Sequence, residues 1–113
     1  MLRAEGKKII MDEGDYGIKL PFKISGDVLE TDKFLFVIKK DHNKDEIIRK
    51  EYDLIKEEDN KFCFDLSFTK ENSKLLTPGY YVYLIRQCRY HEVHNTVERD
   101  GEFEVREGLE LWK

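Results

Sequence analysis

Apolar and polar residues alternate with a period of two along most of this chain, and turn formers cut the alternating stretches about every 8–12 residues. A period of two puts one set of side chains on one face of a pleated strand, which a helix cannot do. The pattern is cleanest where Phe62, Phe64, Leu66 and Phe68 alternate with Cys63, Asp65 and Ser67. Between Tyr16 and Ser25, Ile18, Leu20, Phe22 and Ile24 share one parity and Lys19, Lys23 and Ser25 the other, as in a half-buried strand. Pro21 lies on the polar parity and cannot donate to a ladder, so this strand belongs at a sheet edge or carries a bulge. Phe34 to Ile38 is apolar on both parities, as expected of a central strand covered on both sides. Tyr80 to Tyr90 reads as a long strand, and a last one runs from Val93 and Val97 to Phe103 and Val105.

The punctuation agrees. Lys7 to Met11 closes on the turn cluster Asp12-Glu13-Gly14-Asp15, and Thr69-Lys70-Glu71-Asn72 reads as a capped single helical turn that drops Leu75 and Leu76 onto the core. Two segments stay open. Over residues 46–58 a strand competes with a helix, because Ile47, Ile48, Tyr52 and Ile55 also recur at helical spacing; the strand-like surroundings favour the strand. Asp100-Gly101 is either a two-residue hairpin turn or a bulge.

About seven strands without a long helix or an internal repeat make an all-β chain, an antiparallel β-sandwich. Phe22, Phe34, Phe36, Phe62, Phe64 and Tyr83 are expected to meet between its sheets. The 113 residues form one domain, with 107–113 as a C-terminal tail. Leu109, Leu111 and Trp112 of that tail are candidate partner-binding residues, because a small domain gains little by exposing them. They would cover a sheet edge of their own chain or dock onto another subunit.

Charge narrows the functions. Lys and Arg number 20 against 24 Asp and Glu, a net charge of −4, with both signs mixed throughout. Duplex binding needs a basic stripe, so no nucleic-acid partner is expected. The longest apolar runs fall far short of the roughly 20 residues that span a bilayer, so no membrane span is expected. The polar N-terminus carries no secretory signal, and two cysteines, Cys63 and Cys88, are expected as reduced thiols.

Chemistry is sparse. Cys88, His91 and His94 are zinc-ligand types, yet on one continuous strand Cys88 and His94 share a face while His91 points away, and no fourth ligand is evident. Asp41-x-Asn43-x-Asp45 starts like a calcium loop but has Glu46 where glycine is needed and Tyr52 where a bidentate glutamate is needed. Acid pairs such as Asp12/Asp15 and Asp27/Glu30 follow from an acid-rich composition, and Ser25, Ser67 and Ser73 lack a nucleophile elbow. No catalytic residue, metal site or cofactor is expected, and the chain is read as a non-enzyme. Tyr80, Tyr81, Tyr83 and Tyr90 fit either a saccharide-stacking platform or, preferably, corner and core packing in which hydroxyls bond to backbone.

The order Gly14-Asp15-Tyr16, Leu20-Pro21-Phe22-Lys23-Ile24 and Asp32 to Lys39, continuing through Thr69, Leu75, Pro78 to Tyr83, Thr96 and Gly101-x-Phe103-x-Val105, carries a resemblance over residues 9–106. It resembles small β-sandwich proteins of the structural modules of Firmicutes phages and prophages, and is similar to the immunoglobulin-like N-terminal module of phage baseplate upper proteins. The resemblance implies an immunoglobulin-like sandwich and a non-enzymatic structural or adaptor protein in a tail or baseplate-like assembly. It also implies phage structural proteins or further copies of itself as partners, and a place in the virion or in the host cytoplasm during assembly. The chain stops soon after the sandwich, so an adaptor is expected rather than a receptor-binding protein. Edge strands and the tail would then make the contacts, and a homo-oligomer is expected. A small carbohydrate-binding module is the alternative.

Overall fold

The computed structural model describes residues 2–24, 26–41, 45–58 and 61–108. Among these are nine strands and one short helix: β1 (Arg3–Glu5), β2 (Lys8–Asp12), β3 (Leu20–Ile24), β4 (Lys33–Lys39), β5 (Glu46–Asp53), β6 (Ile55–Glu58), β7 (Lys61–Leu66), α1 (Lys70–Lys74), β8 (Gly79–Arg89) and β9 (Glu92–Arg106). The all-β expectation holds. Two strands, β1 and β6, exceed the count expected from alternation, being only three and four residues long. Residues 46–58 are strand throughout except Leu54, which separates β5 from β6.

A six-stranded sheet has the order β1-β2-β9-β8-β4-β5 and faces a three-stranded sheet of order β3-β7-β6. Every pairing is antiparallel except that of β2 with β9, which runs parallel from Ile9↔Phe103 to Asp12↔Arg106. Between the sheets, Phe64 of β7 stacks on Phe22 at 5.2 Å and on Phe34 at 5.3 Å between ring centroids. Phe36 stacks on Tyr83 at 5.2 Å, and Phe68 meets Phe103 edge-on at 5.8 Å. Each such pair adds about 0.5–1.5 kcal/mol beyond the apolar area it buries. β4 is central as its two-faced pattern requires, with Phe34 to Ile38 all buried.

Tyrosine hydroxyls fasten side chains to backbone, and that of Tyr52 joins the two layers. Tyr81 Oη donates to the carbonyl of Thr77, four residues upstream, at 2.6 Å, and Tyr52 Oη donates to the carbonyl of Ser67 at 2.7 Å. Tyr83 Oη donates to the carbonyl of Lys7. Thr69 caps α1 reciprocally with Asn72, as the sequence signals. Only Leu76 then enters the core; Leu75 is exposed, because neighbours on a helical turn point about 100° apart.

Asp100-Gly101 is not a hairpin turn. β9 runs through it, and β8 residues 83–85 oppose β9 residues 98–101, so one extra residue bulges there. The bulge alternative is the observed one, within one sheet.

The open sheet edges are all blunted. β1 has three residues. β3 carries Pro21, and β6 has four residues and an irregular register. β5 turns a cation inward: Lys50, opposite Phe36, donates to the carbonyl of Ser67 at 2.8 Å, and burial pushes its amine below the usual lysine range. Where β2 no longer accompanies it, β9 shifts register against β8 three times. Short length, proline, bulges and inward charge all oppose pairing with another strand.

Candidate interaction site at the hairpin end

One end of the sandwich is formed by the β3–β4 loop and the β8–β9 hairpin. Arg89 pairs with Glu92, so only Tyr90 and His91 make the turn, at φ 53° and 66°. A two-residue turn with both central residues left-handed is normally built from Asn-Gly or a similar pair. Each non-glycine residue held there costs on the order of 1 kcal/mol. The turn lacked its usual signal, and sequence reasoning ran β8 through to Tyr90.

That turn corrects the expected faces. Gln87 pairs with Asn95 whereas Cys88 pairs with Val93, leaving His94 as an extra, bulged residue. His94 therefore lies with Gln87 in a cleft on one side of the hairpin, and Cys88 lies with His91 in a pocket on the other. The three zinc-type residues do not converge, and among the described residues no three His, Cys, Asp or Glu side chains gather as a metal site requires.

The cleft, about 470 Å³, is lined by residues of β3, of the β3–β4 loop and of both hairpin strands, including Asp27, Val28, His94 and Asn95. Below it an ionic knot ties loop to hairpin. Asp32 is 2% exposed and receives Arg89 Nε at 3.0 Å and Nη2 at 2.9 Å on its two oxygens. Gln87 Nε2 at 2.7 Å and the Leu29 amide at 2.9 Å complete its shell. The Arg89 hydrogen bonds hold the Asp32 carboxyl well below the usual carboxylate range despite its burial, and raise Arg89 in return. Gln87 also donates to the Asp27 carbonyl at 2.9 Å, and His94 Nε2 lies 3.2 Å from Asp27 Oδ2. Hydrogen bonding to His94, then the Arg89 charge, lowers the Asp27 carboxyl. With both oxygens of Asp32 committed, this strongly perturbed acid is a strut rather than a free acid or base.

On the opposite side of the hairpin, a pocket of about 320 Å³ is lined by Thr31, Lys33, Glu51, Cys88, Tyr90 and His91, and its wall is mostly apolar. Burial, then Glu51, pushes the Cys88 thiol up, so it stands protonated. Cys63 lies in the other sheet, buried and with its thiol likewise raised, first by burial; both cysteines are free.

The four late tyrosines separate. Tyr81 and Tyr83 are in the core, while Tyr80 and Tyr90, 69% and 79% exposed, stand at opposite ends of β8, roughly 30 Å apart by strand rise. They form no stacking platform. Leu109, Leu111 and Trp112 lie outside the described residues, as do Ser25 and Asn43. At the last described position, a Cβ on Gly108 would stand 3.2 Å from the Glu13 carbonyl, so the chain leaves beside the end of β2. No helix among the described residues is long and apolar enough to cross a membrane. Comparison with known protein families, curated proteins and solved structures finds no match.

Proposed function

We infer that the chain is a non-enzymatic structural or adaptor protein of phage or prophage origin, acting by protein–protein contact in a tail or baseplate-like assembly. The origin rests on the sequence resemblance. Contact rests on one observation: exposed apolar side chains Leu29, Tyr90, Val93 and Val97 all lie on the loop and hairpin that the Asp32–Arg89 knot holds together. Rigid aromatic and aliphatic groups on a fixed scaffold lose little entropy when a partner covers them. The blunted edges move the expected contact from strand pairing to this end of the sandwich.

The strand order supports the immunoglobulin-like part of the reading. The run β9-β8-β4-β5 opposite β3-β7-β6 follows the G-F-C-C′ and B-E-D order of variable-type immunoglobulin domains, in which the loops at one end serve recognition. The place of action is then the virion, or the host cytoplasm during assembly. The test is mass spectrometry of particles and assembly intermediates purified from an induced lysogen encoding the chain. Stoichiometric recovery is expected, and absence from both fractions refutes the reading.

A saccharide-binding module is favoured by a different feature from the tyrosines: the polar cleft with Asp27, His94 and Asn95. Calorimetry with cell-wall saccharides tests it, and binding that survives Asn95→Ala would count against that cleft.

A further inference from the structure

Resting on the saccharide reading, we propose that the cleft beside Asp27 and His94 binds N-acetylated sugars, with the acetamido group seated against Gln87 at its floor. Gln87 is 3% exposed and lines this cleft. Both hydrogens of its Nε2 are committed, one to the Asp27 carbonyl at 2.9 Å and one to Asp32 at 2.7 Å. Both partners are acceptors, so the orientation of the amide is fixed and its carbonyl oxygen is the polar atom left to offer. No described residue donates to that oxygen. A nearly buried acceptor of this kind calls for a donor, and the open side of Gln87 is the cleft.

The rest of the lining completes an amide site. The Asn95 side chain makes no hydrogen bond among the described residues, so it is free to donate to a ligand carbonyl, as is the Lys23 ammonium at the mouth. Ile24, Val28 and Val97 line the same cleft and would take a methyl group. An acetamido group carries these three parts: an N–H for Gln87, a carbonyl for Asn95 or Lys23, and a methyl for the apolar wall. The rim acid does not demand a cationic ligand, because Asp27 is already bridged to Arg89 at 3.5 Å and bonded to His94 at 3.2 Å. A peptide would offer the same amide in an extended chain lying along a sheet edge, and those edges are blunted. The Asp32–Arg89 knot fixes loop to hairpin, so the cleft of about 470 Å³ is formed before a ligand arrives.

The experiment is calorimetry on the full chain with triacetylchitotriose, the trimer of N-acetylglucosamine, against cellotriose, which has a hydroxyl where each acetamido group stands. The acetylated trimer should bind at least about tenfold more tightly than cellotriose. Asn95→Ala, at an exposed position, should weaken its binding about three- to tenfold by removing one neutral hydrogen bond. Tyr90→Ser, on the other side of the hairpin, should leave it unchanged. In NMR titrations the side-chain amide resonances of Gln87 and Asn95 should shift with the acetylated trimer. No binding of that trimer overturns the proposal. So does cellotriose binding as tightly, or binding of the acetylated trimer that is indifferent to Asn95→Ala. Cellotriose binding in those cases keeps the saccharide reading, whose own failure is read from the wider set of cell-wall saccharides, and the adaptor reading is decided separately by recovery from particles.

Discussion

Substituting Gly101 by alanine should be among the most damaging single-methyl additions in this protein. A Cβ at that position would lie 2.2, 2.3 and 2.6 Å from three carbons of the Tyr83 ring, against an ordinary contact of 3.4–4 Å. The ring would have to retreat by more than about 1 Å. It cannot do so freely: Tyr83 is 3% exposed, stacks on Phe36 and donates its hydroxyl to the Lys7 carbonyl. Overpacking costs about 1–3 kcal/mol. Losing a buried hydrogen bond adds about 1–3 kcal/mol, giving roughly 2–6 kcal/mol in all. For a domain of this size the midpoint of thermal unfolding should fall by about 8–30 °C, measured by calorimetry with urea denaturation as a check. Two controls isolate the cause. Gly6→Ala, at φ +62° with nothing within 4 Å of its Cβ, should cost only about 1 kcal/mol. In a Tyr83→Leu background, which removes the clashing ring atoms, the added cost of Gly101→Ala should shrink to below about 1 kcal/mol. A small cost in the wild type, or an unchanged cost beside Leu at position 83, would refute the reasoning.

Two further predictions concern charge. Asp32→Ala should destabilise the fold by about 1.5–3 kcal/mol, because it removes the two short hydrogen bonds from Arg89 and leaves that cation only its longer contacts to Asp27. Because the Asp32 carboxyl is depressed in the folded state, its contribution is full above its unfolded value of about 4 and is lost as pH falls below that. The acid limb of wild-type stability, followed by urea titrations from pH 6 downward, should therefore be steeper than that of the variant; equal slopes would rule this out. At the alkaline end, burial first of all pushes Tyr52 and Tyr83 up to about 12. Both are protonated in the fold, so their contribution to stability should be constant below about pH 10 and decline towards pH 12, by on the order of 2 kcal/mol for Tyr83. Tyr83→Phe should flatten that decline, and an unaltered alkaline profile would contradict it.

The fold was legible where burial alone decides the pattern. β4 and β7 declare themselves because alternate residues Phe34, Phe36 and Ile38, and Phe64 and Leu66, join one core, and Pro21 marks an edge because it lacks an amide proton. The hairpin end was illegible for the converse reason. Tyr90 and His91 turn the chain without a glycine or asparagine, and His94 and Val97 are inserted out of step, so parity carried from Cys88 to His94 gives the wrong face. Gly101 was visible as a residue but not as a space: its role depends on Tyr83, eighteen positions away in sequence and directly opposite in the ladder. The ionic knot of Asp32 with Arg89 and Gln87 joins residues 55 and more positions apart, and no local pattern announces such a pairing.

The parallel pairing of β2 with β9 has a mechanical meaning. In β2 the chain enters this four-residue ladder at one end, and in β9 it leaves the ladder at the other. Tension applied between the two ends would drag the strands past each other along their length, so the hydrogen bonds would be loaded together in shear instead of being peeled apart one by one. A protein that must hold its shape under pull is well served by such a clasp. The β8–β9 hairpin lies outside that line of force and would remain presented while the clasp bears the load.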